Sequence, residues 1–179
     1  MWKLLQLCFF LLVFVGGFES GAQDKDRIKY KADELYEFRK DGKKIRRLIG
    51  NVVFVQKTST MYCDSSLYYA DENVMEAFGH VKIVDDSVTI TSKRLIYDGD
   101  TRDSQLRENV VYTKGDQKLV TDFLDYNMDT EVGNYFNNGT LSDPTNTLTS
   151  EIGYFPTAVA APDPKSRINR RRPIGPWRK

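Results

Sequence analysis

One unit of 29 residues recurs along most of this sequence. Copies begin at residues 50, 79 and 108 without a gap, and a fourth, shorter copy ends at Phe155. Five columns of side chains run through the copies: Val52, Val81, Val110 and Gly139; Phe54, Ile83, Tyr112 and Leu141; Met61, Ile90, Leu119 and Leu148; Cys63, Ser92, Thr121 and Ser150; Tyr68, Tyr97, Tyr126 and Phe155. Such a pattern predicts a repeat protein, because a single copy cannot bury its apolar face and several stacked copies can.

Within each copy the apolar side chains alternate with a period of two. Val52 and Phe54 share one face, while the polar residues Gln56 and Asp64 are assigned to the other side. Pairs rich in Gly, Asn and Asp separate the alternating runs, and no stretch sustains a helical period. The pattern predicts an all-β domain with two or three short strands per copy. The periodicity alone leaves open whether the copies pair as antiparallel strands or form a parallel β-solenoid.

The columns also account for residues that would otherwise suggest chemistry. Cys63 stands where other copies have Ser or Thr, which predicts a small buried side chain. His80, the only histidine, stands where other copies have Asn, at a turn or the start of a strand. Lys93 shares a column of mixed charge with Asp64 and Asp122, which is typical of a solvated face. The acids are scattered and not clustered, so we expect no catalytic site, metal site or cofactor, and no nucleic-acid partner.

Residues 1–22 have the pattern of a secretory signal peptide. Lys3 precedes the apolar run LLQLCFFLLVFVGGF, and the sequence SGA at residues 20–22 predicts cleavage before Gln23. An uncleaved N-terminal anchor is the alternative interpretation. Cleavage would leave Cys63 as the only cysteine, so stability would have to come from packing and backbone pairing instead of a disulfide.

The β-repeat domain is predicted to cover residues 23–155, after which the chain changes character. Residues 156–179 carry seven Lys or Arg against one Asp, a net charge of +6, whereas residues 23–155 carry 18 against 23 Asp or Glu, a net charge of −5. The Pro- and Arg-rich tail predicts a disordered segment, and a basic arm for anionic lipid or phosphate-bearing sugar is the second interpretation. Residues 31–38 (KADELYEF) are interpreted as a degenerate first copy that caps the stack.

Three stretches of the chain resemble the OstA-like family, over roughly residues 27–155. They are RLIGNVVFVQKTSTMYCDSSLYY, AFGHVKIVDDSVTITSKRLIYD and ENVVYTKGDQKLVTDFLDYN. The best-known members are the periplasmic bridge protein of lipopolysaccharide export and the N-terminal domain of its outer-membrane translocon. The resemblance implies a half-open β-jelly roll whose antiparallel strands enclose an apolar groove for acyl chains. This chain departs from the family pattern because its fourth copy stops at Phe155.

The resemblance implies a lipid-binding bridge or carrier in the periplasm or at the outer membrane, with lipopolysaccharide or a related glycolipid as its ligand. The expected groove-lining residues are Val52, Phe54, Met61, Tyr68, Val81, Ile83, Ile90, Tyr97, Val110, Tyr112, Leu119 and Tyr126. The short fourth copy predicts an open strand edge at Leu148, Ser150 and Phe155, which would associate head to tail with another copy or with another OstA-like β-repeat protein. The alternative function is an exported structural β-solenoid that binds protein or glycan on its surface and has no lipid groove. An enzyme ranks third because no cleft of clustered acids is predicted.

Overall fold

The computed structural model describes residues 27–156, which form twelve β-strands and no helix. The strands are β1 (Lys29–Lys31), β2 (Glu34–Lys40), β3 (Lys43–Gln56), β4 (Ser59–Tyr69), β5 (Val74–Asp85), β6 (Val88–Asp98), β7 (Asp103–Lys114), β8 (Gln117–Asn127), β9 (Val132–Tyr135), β10 (Gly139–Ser142), β11 (Thr147–Ser150) and β12 (Gly153–Pro156). The predicted signal peptide and all of the predicted tail except Pro156 lie outside the described residues. Within residues 27–156 there is no helix with the length and apolar character to span a membrane.

The twelve strands form one sheet in which every pairing is antiparallel. The long strands β3 to β8 run through the whole width of the sheet, and short strands complete it at both ends. One half has the order β1-β3-β4-β5-β6-β7-β8-β10-β11, and in the other half β2 pairs with β3 while β9 and β12 follow β8. We call these the β1/β11 half and the β2/β12 half. The all-β prediction is confirmed, and the parallel β-solenoid alternative is wrong because neighbouring strands run in opposite directions.

A row of β-bulges separates the two halves, with one bulge at the start of each repeat copy. The bulged pairs are Gly50-Asn51, Gly79-His80, Glu108-Asn109 and Asn137-Asn138, and all of these residues have φ between 40° and 76°. In β3, β5 and β7 two residues oppose one on the following strand, so the register shifts there. Gly adopts this left-handed backbone without strain and Asn tolerates it. The prediction that the strands are short is wrong for the first three copies, because Gly50-Asn51, Gly79-His80 and Glu108-Asn109 bend continuous strands of 12 to 14 residues and do not end them. In the fourth copy Asn137-Asn138 lie between the short strands β9 and β10.

Carboxylates on the neighbouring strands hold these bulges in place. In three copies a carboxylate oxygen lies within 3.0 Å of a bulge nitrogen: the pairs are Asp33 with Asn51, Asp64 with His80, and Asp122 with Asn109. His80 therefore contributes to the bend of β5. The mixed-charge column is more than a solvated face, since Asp64 and Asp122 both belong to it.

Bending at the bulges brings the inner faces of the two halves together. Phe54 and Tyr112 lie on the β1/β11 half, and Tyr68 and Tyr126 lie on the β2/β12 half. The ring centroids are 6.2 Å apart for Phe54 and Tyr68, and 5.7 Å apart for Tyr112 and Tyr126. The sheet is therefore rolled around one apolar core, and the predicted jelly-roll class is confirmed.

A seam closes the roll where the hairpin turns of the two halves meet. It comprises the turns at residues 57–58, 86–87 and 115–116 on one side and those at 70–73, 99–102 and 128–131 on the other. The side chain that joins them most extensively is Arg102, which is only 3% exposed.

The guanidinium of Arg102 contacts three separate segments. It donates to Ser59 Oγ at 2.9 Å and to the backbone carbonyl of Gln56 at 3.4 Å. Its Nε lies 2.6 Å from Asp129 Oδ1. This distance gives an ion pair, but the N–H group does not point at the oxygen well enough for a hydrogen bond. Asp85 Oδ2 is 3.5 Å from the same guanidinium. The seam is thus held by a largely buried charge with two carboxylates.

Gln56 faces the core, so its predicted assignment to the outer side is wrong. It stands an even number of residues from Val52 and Phe54 on an unbroken strand segment, and side chains at that spacing point the same way. The buried amide is satisfied there, because Tyr97 donates its hydroxyl to Gln56 Oε1 at 2.6 Å and Gln56 Nε2 donates to the Gly99 carbonyl at 2.8 Å. These bonds also cross the seam.

The bulges give a first prediction: Gly79→Ala should lower the free energy of unfolding by about 2 kcal/mol or more. At φ 72° an added Cβ would lie 2.9 Å from Asp64 Cγ and 3.1 Å from Asp64 Cβ, so steric overlap adds to backbone strain. Gly115→Ala is the matched control, because its φ of 56° carries the strain and no atom lies within 4 Å of the added Cβ. Urea denaturation measures both, and equal losses would contradict the proposed packing of the bulge.

The seam gives a second prediction: Arg102→Ala should lower the free energy of unfolding by about 3 kcal/mol. The substitution leaves Asp85 without its buried cation and Ser59 without its donor. Lys57→Ala is the control, since Lys57 also pairs with Asp129, at 3.5 Å, but with both side chains about half exposed. Its loss should stay below about 1 kcal/mol. Similar losses for the two variants in urea denaturation would show that Arg102 does not close the seam.

Candidate lipid-binding core

The structure places all twelve expected groove residues on the inner face of the roll. Each of them is at most 3% exposed. Six of the twelve come from the β1/β11 half of the odd-numbered strands, namely Val52 and Phe54 from β3, Val81 and Ile83 from β5, and Val110 and Tyr112 from β7. Met61, Ile90 and Leu119 from β4, β6 and β8 lie beside them. Tyr68, Tyr97 and Tyr126 face them from the β2/β12 half. The inner wall is therefore continuous across the repeat copies, as a stack of equivalent hairpins requires.

The sequence columns missed much of the inner wall in the β2/β12 half. Its further buried apolar side chains are Leu48, Met75, Ala77, Leu95, Leu106, Leu124 and Tyr135. Each bulge adds one residue to its strand, so the inward-facing positions before and after it are out of step. A two-residue alternation traced from Val52 therefore does not identify the inner residues on the other side of the bulge. The sequence does contain a signal for several of these residues. Leu95 and Leu124 precede Tyr97 and Tyr126 by two residues, so an alternation traced from the tyrosine column toward the N-terminus would have placed them on the inner face.

Aromatic rings close the core at both ends of the stack. At the N-terminal end Tyr30 lies 6.3 Å from Phe54 and 5.4 Å from Tyr68, measured between ring centroids. At the C-terminal end Phe155 lies 5.4 Å from Tyr112 and 6.3 Å from Tyr135. The long inner wall between these clusters is lined mainly by aliphatic side chains.

The titratable groups of the inner wall are held in their neutral forms. Burial raises the pKa of the Cys63 thiol to about 12, and burial also raises the pKa of the Tyr68 and Tyr97 hydroxyls. At neutral pH these groups carry no charge, so the wall favours alkyl chains over ions. The prediction that Cys63 is a small buried side chain is confirmed by its exposure of 6%.

The inner wall is closed to solvent in the described structure. Its side chains pack against each other across the roll, and the seam covers the side opposite the bulges with the polar network around Arg102. This network separates the core from water, but it is polar and includes Asp129, whose side chain is 53% exposed. The seam is therefore closed by side chains and turn backbones, whereas continuous strands join the two halves at the bulges.

The structure separates the three residues expected at the C-terminal edge. Leu148 lies on the outermost strand β11 and is 59% exposed. Ser150 Oγ lies 2.6 Å from the Tyr135 hydroxyl, and Phe155 packs against the core. All three residues lie on outermost strands, since β11 pairs only with β10 and β12 only with β9. Of the three, Leu148 alone has an exposed side chain, while the side chains of Ser150 and Phe155 help to attach the last strands.

The opposite end of the sheet is also open. The fully exposed strand β2 pairs with β3 on one side, and it presents Leu35, Tyr36 and Phe38 with exposures of 49%, 55% and 41%. Exposed apolar side chains on an edge strand are unusual in a monomer, since edges of this kind favour pairing with another chain.

Comparison with known proteins is consistent with this geometry. The chain has the fold of LptH, described as the LptA homologous periplasmic component of the conserved lipopolysaccharide transport device from Pseudomonas aeruginosa. The TM-score is 0.55, the sequence identity is 14%, and the match covers 63% of this chain and 85% of that chain. At such low identity the likeness concerns the fold. No curated protein matches the sequence significantly.

A family model provides the sequence-level relationship. The model for OstA-like proteins matches residues 25–162, which include the whole described roll. This range covers the repeat copies, the bulges and both edge strands. The chain therefore belongs to the OstA-like family.

Proposed function

We propose that the protein is a periplasmic module that binds the acyl chains of lipopolysaccharide or a related glycolipid during outer-membrane assembly. The observation that carries the proposal is the continuous, uncharged apolar wall between the two halves of the roll. Family membership supports a role in lipopolysaccharide transport. Such a role requires burial of alkyl chains and no chemical step, so the inner wall itself would be the functional site.

We propose that acyl chains reach the wall through the seam. The two halves are joined at the bulges by continuous strands, but at the seam only side chains and turn backbones join them. Separation at the seam would therefore leave the strand pairing intact while exposing the inner faces of both halves. Acyl chains would then replace the contacts that the two faces make with each other, giving the half-open form of the roll.

The energies are compatible with this exchange. Each buried methylene contributes about 0.8 kcal/mol, so one chain of about twelve carbons contributes on the order of 10 kcal/mol. Opening at the seam would return Arg102 and its carboxylates to water, and the hydration they regain offsets much of the attraction lost. An acyl chain between the halves would replace the apolar contacts that the two faces lose, whereas opening without a ligand would expose the apolar wall to water.

The alternative function is a structural module that binds protein or glycan on its surface. The closed core favours it, since Ile83 and Ile90 have no exposure in the described structure. The two functions differ in whether a ligand ever enters the roll, which can be measured directly.

A photo-crosslinking residue introduced at Ile83 or Tyr112 should capture glycolipid when the exported protein is purified from cells that make lipopolysaccharide. Both positions face the core, so capture requires an acyl chain between the halves. Tyr62 and Val120 are the controls, because they are 42% and 44% exposed on the outer face and should capture little. Mass spectrometry of the crosslinked protein identifies the lipid. Equal capture at inner and outer positions, or none at either, would favour the surface-binding alternative.

A crosslink across the seam tests the route of entry. Lys57→Cys and Asp129→Cys, in a Cys63→Ser background, replace side chains whose charged atoms lie 3.5 Å apart across the seam. A short bismaleimide joining them should abolish binding of a fluorescent fatty acid that the same variant binds before crosslinking. The control joins Thr113→Cys to Lys118→Cys, which are partners within one hairpin and do not cross the seam. Undiminished binding after closure of the seam would exclude this route.

The open edges support head-to-tail association, in which β11 of one copy pairs with the N-terminal edge strands of the next copy or of another OstA-like protein. Leu148→Lys should weaken it, because a charged side chain would replace the exposed leucine at the junction. Light scattering at increasing protein concentration should show growth of oligomers for the unchanged protein and a shift toward monomer for the variant. Val120→Lys, on the outer face of the central strand β8, is the control. A strict monomer at high concentration in the unchanged protein would contradict the proposal.

A further inference from the structure

We propose that the outer face of the bend carries a second binding site, for a phosphorylated sugar. The site is an open pocket of about 690 Å³ formed by β5, β6 and β7. Its lining includes Phe78, His80, Lys82, Lys93, Arg94 and Asn109. The three cations are exposed, whereas Val81 and Ile83 on either side of Lys82 are buried, so the pocket lies across the sheet from the core. It is therefore separate from the candidate acyl-chain site.

The pocket has an excess of positive charge. Lys82, Lys93 and Arg94 line it, and its lining contains no carboxylate. Within residues 27–156 Lys82 and Lys93 have no hydrogen-bond or ion-pair partner. The carboxylate of Glu108 is 3.9 Å from Arg94, and both of those side chains are more than half exposed, so the pairing is weak. The Lys82 and Lys93 side chains are therefore available to an anion, and Arg94 is held only by its weak pair with Glu108.

A pair of facing arginines increases the positive charge beside the pocket. Arg94 stands directly opposite Arg107 on the next strand. Like charges in this position destabilise a sheet unless counter-charges compensate them. Arg107 has a close carboxylate, Asp125 at 2.8 Å, whereas Arg94 has only the more distant Glu108. An anion bound at Arg94 would supply the missing compensation.

The repeat shows that the fold does not require these cations. Asp64 and Asp122 occupy the column of Lys93, Val53 and Val111 occupy the column of Lys82, and Ser65 and Phe123 occupy the column of Arg94. The two bulges that flank Lys93 are held from the far side, by Asp64 and Asp122. Only the second copy carries a cation in all three columns. The repeat therefore does not explain the cation cluster, whereas ligand binding would.

Phe78 indicates what the anion is attached to. Its ring lines this pocket and two neighbouring depressions of the same face. The guanidinium carbon of Arg94 lies 5.7 Å from the ring centroid, so cation and apolar platform are adjacent. A sugar phosphate offers a C–H face to the ring and two negative charges to the cations, while inorganic phosphate would use the cations alone. Under the proposed function a glycolipid would supply the sugar phosphate, because glycolipid head groups carry phosphorylated sugars. The inference rests on the proposed function only for this source of the ligand.

Calorimetric titration of the exported protein at low salt tests the site, with glucosamine 1-phosphate, glucosamine and inorganic phosphate as probes. We expect glucosamine 1-phosphate to bind saturably, at least about tenfold more tightly than inorganic phosphate, and glucosamine not to bind. Lys93→Asp restores the residue type of the neighbouring copies, so it should fold, and it should weaken binding by roughly tenfold or more. Lys118→Asp makes the same charge change at an exposed position outside the pocket and should leave binding unchanged.

The proposal is overturned if Lys93→Asp and Lys118→Asp have equal effects, or if the sugar phosphate and inorganic phosphate bind equally. The outcome is independent of the acyl-chain site. Loss of sugar-phosphate binding with continued lipid capture at Ile83 would refute only this inference. Sugar-phosphate binding without lipid capture would refute only the proposed transport function.

Discussion

The rest of the structure depends on the pair of left-handed residues at the start of each repeat copy. Two consecutive residues with positive φ insert one extra position into a strand and bend it without ending it. Because the bulges align from copy to copy, the bends add up to one fold line across the sheet. The inner wall, the seam and the pocket on the outer face all take their positions from that line. Gly50 and Gly79 fit closely against Asp33 and Asp64, so the fold line is also a packed structure.

The inner wall combines strong burial with an absence of charge. Phe54, Ile83, Ile90 and Leu119 have no exposure, and burial keeps the Cys63 thiol neutral. Such a wall has the physical properties needed to take up alkyl chains, and its titratable groups are poorly suited to acid–base chemistry at neutral pH. The function proposed for the protein therefore relies on the shape and solvation of a surface and not on a reactive group.

The two sides of the roll are closed by different forces, and in the proposed function this difference would let the seam open while the fold line stays joined. At the fold line the continuous strands β3 to β8 join the two halves covalently. The seam depends on Arg102 and its contacts with Ser59 and Asp129, together with outer pairs such as Lys114 with Glu131. Burial of a charge offsets much of the attraction gained from its partners, so such a network specifies a closed geometry with less net stability than apolar packing of equal size. In the proposed function an acyl ligand would compete with these contacts.

The sequence by itself determined the repeat, the all-β class and most of the inner wall in the β1/β11 half. Alternation with a period of two is a local property of an extended chain, so residues such as Val52, Ile83 and Tyr112 could be assigned to one face without a structure. The resemblance carried by the repeated motif gave the family and the rolled form. The tertiary structure alone decided that positions such as Gly50-Asn51 and Gly79-His80 bend strands, whereas Gly99 and Gly115 lie in turns that end them, because turns and bulges use the same backbone conformations. It also decided the seam, since Arg102 and Ser59 are 43 residues apart and meet only when the sheet closes on itself.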